Sequence, residues 1–148
     1  AMAYVEEGQL RLLRNWPMIQ VKHRRIAINS IAFGETWPRV EIVLSFAGCS
    51  GEPVDALLRA PAGIEPVQGL VVAATGNGTI HQAMEQALRR AVQAGVRVVR
   101  ASRCASGRVL PTAGSEFMHS EGLSAVKARI ALMLDLMCQA ELGGKKTA

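Results

Sequence analysis

The chain of 148 residues reads as one α/β domain built on an open parallel β-sheet of about four strands flanked by helices. Three observations predict this. Leu70-Val71-Val72-Ala73-Ala74 is an unbroken apolar run of strand length, the mark of a strand buried on both faces, as strands of parallel sheets are. Directly after it, Ile80, Ala83, Met84, Ala87, Leu88, Ala91 and Val92 recur at spacings of three and four, the stripe of an amphipathic helix. Strand-like and helix-like segments also alternate along the chain, and successive strand-helix-strand units with right-handed crossovers build a parallel sheet covered by helices on both faces.

Residues 1–39 are mixed, with Gly8, Pro17, Gly34 and Pro38 as breakers. They are expected to form a linker and an irregular or β segment, with a strand pair in "QLRLL" and "RRIAIN". The α/β domain is expected over 40–148. Val40 to Phe46 is rich in β-branched and aromatic residues and reads as its first strand. "AGCSGEP" follows, where Pro53 suits the first turn of a short helix through Ala60. The apolar run at Leu70–Ala74 is the second strand. "TGNGT" then leads to the amphipathic helix, whose entry at Thr79-Ile80-His81-Gln82 matches a capping box and whose exit is Gly95. Val96–Val99 is the next strand. Ser102 to Leu123 has no clear period and is expected to be a long loop with at most one short strand. Ser124 then caps a last helix, with Val126, Ile130, Met133, Leu134 and Met137 on one face and a stop at Gly143-Gly144.

Composition narrows the function. The apolar fraction of 49% supports a core of ordinary size in a single domain. The C-terminal apolar run Ile130–Leu134 is closely flanked by Lys127, Arg129 and Asp135, so no membrane partner is expected. "AMAYVEEGQL" lacks the pattern of an export leader, so a cytoplasmic location is expected, with a periplasmic one left open. Cys49, Cys104 and Cys138 are odd in number and widely spaced, which suits reduced thiols better than a zinc site or a disulfide framework. The net charge of +5 raises nucleic acid as a partner, but aromatics are 4% of the chain and stacking platforms are scarce. No nucleic-acid partner is expected.

Open parallel sheets bind ligands at the C-terminal ends of their strands, which points to the loops after Phe46, Ala74 and Val99. In "TGNGT" two glycines allow close backbone approach, and the helix that follows offers unpaired N–H groups to an anion. The loop alone supports two readings: a cradle for a small anion, or a tight strand-to-helix turn capped by Thr79. It matches neither G-x-G-x-x-G nor the Walker pattern. His23, His81 and His119 are scattered and show no metal-ligand spacing, so no metal site is expected. Cys104 stands beside Arg103, which favours a thiolate, but no histidine is near it in sequence.

The segment "LVVAATGNGTIHQAMEQALRRAVQAGVRVVRASRCASGRV" resembles the C-terminal domain of bacterial-type L-asparaginases, with its GTGNG loop, helix and VVR-S-SR strand. "WPRVEIVLSFAG", "LSAVKARIALMLDL" and "YVEEGQLRL" resemble further segments of that family in the same order. The resemblance implies the asparaginase C-terminal fold, a flavodoxin- or Rossmann-like arrangement. It also implies hydrolysis of L-asparagine, or L-glutamine, by a threonine nucleophile in a separate N-terminal domain. That domain's motifs T-G-G-T-I and H-G-T-D do not occur here, so no catalytic residue is expected in this chain. The family's C-terminal domain closes a neighbouring subunit's pocket, which implies substrate-binding roles for Gly76, Asn77, Gly78 and Thr79. Thr79 stands where several members carry asparagine. Glu116, or Glu121, is the counterpart of a glutamate for the substrate's ammonium, on a shorter segment than in many members. Ala101 replaces the first serine of S-S-R, which leaves Ser102 and Arg103 and suggests a scaffold role. The implied partners are the small-molecule substrate, the chain's own N-terminal domain and further copies in a homodimer or homotetramer, with no cofactor. The alternative is a stand-alone α/β module for a small anion or other ligand.

Overall fold

The computed structural model describes residues 3–12, 36–105, 108–110 and 114–144. The chain opens with a hairpin of β1 (Ala3–Glu6) and β2 (Gln9–Leu12), paired antiparallel with Glu6 opposite Gln9. Its two turn residues, Glu7 at φ 50° and Gly8 at φ 75°, both take the left-handed conformation that a two-residue hairpin of type I′ requires. The strand expected in "QLRLL" is therefore present, but it pairs with Ala3–Glu6. "RRIAIN" lies outside the described residues.

The main sheet has the order β3-β4-β5-β6 and is parallel throughout. Its strands are β3 (Val40–Leu44), β4 (Gly69–Ala74), β5 (Arg97–Ser102) and the two-residue β6 (Met118–His119). Every residue of β4 is buried, as its unbroken apolar run requires. Alternation along that strand feeds two cores. Leu70 and Val72 pack with Val54 of α1 (Glu52–Leu58) and with Met84 and Leu88 of α2 (Gln82–Gln93), whereas Val71 packs on the opposite face with Ala128 and Leu132 of α3 (Ala125–Gly144). Each such buried aliphatic side chain contributes about 1.5–3 kcal/mol of transfer free energy.

Two close approaches hold the helices. A Cβ on Gly51 would lie 2.7 Å from Ala87 Cβ, so only glycine lets α1 start against α2. Arg90 then grips Asp55 with Nη2 at 2.9 Å from Oδ1 and 2.7 Å from Oδ2. On the other face a Cβ on Gly69 would lie 2.8 Å from Leu132 Cδ2, so β4 has a notch that receives α3.

The structure corrects two expectations at helix level. α2 begins at Gln82 with His81 as its N-cap, in an extended conformation with its ring accepting from the Ala83 N–H. Thr79 is not the cap, because it is drawn into a bridge with Thr75. The inward face of α3 also differs from the expected stripe, sharing Met133 with it but not Val126 or Ile130. Ala128, Leu132 and Met133 are buried, while Val126 is 63% and Ile130 49% exposed. This helix is apolar on most sides, so spacing alone does not select a face. The small Ala128 and the notch at Gly69 select it. No helix among the described residues is long and apolar enough to cross a membrane.

The strands follow one another across the sheet in chain order. Nowhere among the four does the order reverse, so they enclose no switch-point crevice of the kind that usually holds a ligand in an open α/β sheet.

Candidate functional site

The loop after β4 is closed on itself. The Thr75 carbonyl accepts from the N–H groups of Gly78 and Thr79, both at 2.9 Å, and Thr75 N–H and Oγ1 both donate to the Thr79 carbonyl at 3.2 Å. The two amides that an anion cradle needs are thus turned inward. Two further amides are engaged: His81 N–H donates to the buried Ser45 Oγ at 3.0 Å, and Ala83 N–H to the His81 ring. The Gly78 and Thr79 amides thus serve the turn and those of His81 and Ala83 the helix cap, which leaves fewer donors for an anion than the glycine pattern suggests.

Neighbouring segments lock the loop from outside. Ser102, at the end of β5, donates from Oγ to the Gly76 carbonyl at 2.9 Å. Asn77 Oδ1 accepts from the Leu110 N–H at 2.7 Å. Gly78 has φ 88°, and a Cβ there would lie 2.9 Å from Val109 Cγ1. Glycine is required at Gly78 by both conformation and space. Gly76 and Asn77 therefore shape the loop, while Gly78 and Thr79 form its inner wall.

That wall belongs to a cavity of about 380 Å³, lined by Gly78, Thr79, Ile80, Glu85, Arg89, Arg100, Gly114, Ser115, Glu116 and Phe117. The structure brings Thr79 and Glu116 together from positions far apart in the chain. Arg89, on the outward side of α2, donates from Nε to Glu116 Oε2 and from Nη2 to Glu85 Oε1, each at 2.8 Å. Its pKa rises above the ordinary arginine value, first through the hydrogen bond to Glu116 and then through the charge of Glu85. On the far wall Arg100 Nη2 donates to Ser115 Oγ at 2.7 Å, and Ser115 Oγ donates to the Phe117 carbonyl at 3.0 Å.

The described lining of the cavity is mostly polar and charged. Among the described residues its hydroxyls are Thr79 and Ser115, and no histidine, lysine or cysteine lines it. Ser115 is committed to Arg100 and Phe117, and Thr79 Oγ1 has no hydrogen-bonded base among the described residues. Arg89 bridges the two carboxylates directly and Arg100 adds a second guanidinium, so charged groups of both signs border the space.

The other candidate residues lie elsewhere. Glu121 lines a separate cavity between β6 and α3, with His119 and Asp135. The His119 ring accepts from the Glu121 N–H at 3.3 Å and so closes a local turn. His23 lies outside the described residues. Cys49 is buried and Cys104 exposed. Among the described residues no group of three or more His, Cys, Asp or Glu is placed to hold a metal ion. Arg89 was missed in the sequence, although its spacing of four from Glu85 is the one that pairs side chains on a helix.

The model of the glutaminase/asparaginase C-terminal domain family matches residues 39–143. The chain belongs to this family. Among relatives, it is 33% identical over 118 residues to L-asparaginase 2 of Bacillus subtilis (strain 168), covering 78% of this chain and 30% of that protein. It is 34% identical over 107 residues to the probable periplasmic L-asparaginase of Haemophilus influenzae, covering 69% of this chain and 29% of that one. Its fold matches the crystal structure of a probable cytoplasmic L-asparaginase from Campylobacter jejuni with a TM-score of 0.68 and 28% identity, over 91% of this chain and 40% of that chain. The chain thus spans about a third of the length of the curated relatives it matches. All four loop residues and Glu116 fall within the span of the asparaginase C-terminal domain.

Proposed function

We propose that this chain is the part of an L-asparaginase that completes a neighbouring subunit's substrate pocket. In this reading the full enzyme hydrolyses the side-chain amide of L-asparagine, with L-glutamine as a second candidate, to the carboxylate and ammonia. Water supplies the oxygen, and the amide nitrogen leaves as ammonia. The attacking threonine belongs to a preceding N-terminal domain, and this chain holds no catalytic residue. The domain boundary lies near residue 39, where the family match also begins. Supporting this reading are the family membership and, above all, one observation: the cavity that joins Gly78 and Thr79 to Glu116. Glu116 takes the substrate's α-ammonium, Thr79 offers a hydroxyl to the same end, and Gly76 and Asn77 hold the loop that presents them.

The pocket is shared in this reading, so the working protein is a homodimer or homotetramer. Its compartment is the cytoplasm, with the periplasm as the alternative. The relatives include one named for each.

The test is ammonia release. The purified chain alone gives none from L-asparagine, whereas the intact polypeptide that carries this domain does. In that polypeptide Glu116→Gln raises KM for L-asparagine by about tenfold or more, the order expected for loss of one charge-assisted contact. Robust turnover by this chain alone overturns the assignment of the nucleophile to another domain. An unchanged KM in Glu116→Gln removes Glu116 from the pocket.

A further inference from the structure

We infer that Arg89 is a positioning residue that holds Glu116 ready for the substrate, an inference that rests on the role proposed above for Glu116. Glu116 sits on the irregular stretch before β6 and is exposed, so nothing in the local backbone fixes its side chain. Arg89, by contrast, stands on the regular helix α2 and is itself steadied by Glu85 one turn before it. The single guanidinium contacts both carboxylates at 2.8 Å, and all three residues line the cavity that holds Thr79. The planar fork of arginine suits this double grip, since two donors leave one rigid group in fixed directions.

The grip has two consequences for a ligand. It keeps one oxygen of Glu116 occupied, and Oε1 accepts from no described residue, so an incoming ammonium meets a carboxylate already oriented. It also offsets the charge of two neighbouring carboxylates and so lessens their mutual repulsion. Glu116 is then presented as a directed acceptor, and its freedom is lost on folding instead of on binding. Arg90, one residue on, is turned toward Asp55 of α1 and takes no part. The two arginines on adjacent positions have separate duties, one to the cavity and one to helix packing.

Kinetics of the intact polypeptide test this. Arg89→Ala is expected to raise KM for L-asparagine by about five- to tenfold with kcat within twofold, since it disturbs binding and not the chemical step. Arg89→Lys, a point charge that cannot fork, gives an intermediate KM. Adding Arg89→Ala to Glu116→Gln raises KM no further, because both act through one group. Arg90→Ala is the control for a structural arginine on the same helix and leaves KM unmoved. Turnover with an unchanged or lowered KM in Arg89→Ala overturns the inference alone, a lowered value meaning that Arg89 competes with substrate for Glu116. Additive effects in the double variant overturn it as well. Absence of turnover by the unaltered polypeptide overturns both the proposed function and this inference.

Discussion

Cys104 shows how the loop's hydrogen bonds reach a side chain outside the cavity. Its thiol is held below its ordinary value of 9.0, first by the Gly76 backbone, next by Ser102, with a further contribution from the charge of Arg103. The thiolate is the deprotonated form and the reactive one, so a lowered pKa means more of it at any pH below that value. Alkylation of Cys104 by iodoacetamide should therefore rise with an inflection on the acid side of an ordinary thiol. Ser102→Ala should move the inflection back up, as peptide mass spectrometry across a pH series can read. Cys49 is buried and stays unlabelled in the folded chain. At this scale the sequence was only partly legible. "TGNGT" announced a tight turn through its two glycines, but not that the Gly78 and Thr79 amides turn inward. Glu116 was reached through a family resemblance, and its partner Arg89 was not reached at all, because the separation of 27 positions along the chain is closed up by tertiary packing.

Among the elements, α3 offers the sharpest test. Leu132 is 4% exposed and fits the notch at Gly69, whereas Ile130 is 49% exposed. Leu132→Ala should cost about 2–5 kcal/mol through lost contacts and an unfilled cavity. Ile130→Ala should stay within about 0.5–1 kcal/mol. Urea unfolding of the two variants distinguishes this face from the stripe that spacing suggests. The contrast explains which elements could be read. β4 and α2 carry one unmistakable pattern each, an unbroken apolar run and a single stripe. In α3 apolar residues surround the axis, so the face is chosen by what it meets on β4. The start of α2 slipped for a related reason: a capping-box match at Thr79 lost to the bridge with Thr75, and His81, supported by Ser45, took the capping place.

For the molecule as a whole, large apolar side chains remain uncovered. Trp37, Leu44, Phe46, Val126 and Ile130 are each between 49% and 63% exposed. Apolar surface left in patches on a chain that spans about a third of its curated relatives favours self-association in isolation. Light scattering should therefore give an apparent mass that rises with concentration, and a constant monomer mass up to high concentration would contradict this.

The sheet itself has two unlike borders. On one side β6 offers a backbone only two residues long, on the other β3 offers five. A sheet grows by hydrogen-bonding along an exposed border, and very short border strands are one way proteins prevent it. Among the described residues the sheet is therefore one-sided as a template: another strand has a full-length row of backbone groups to join beside β3 and almost none beside β6.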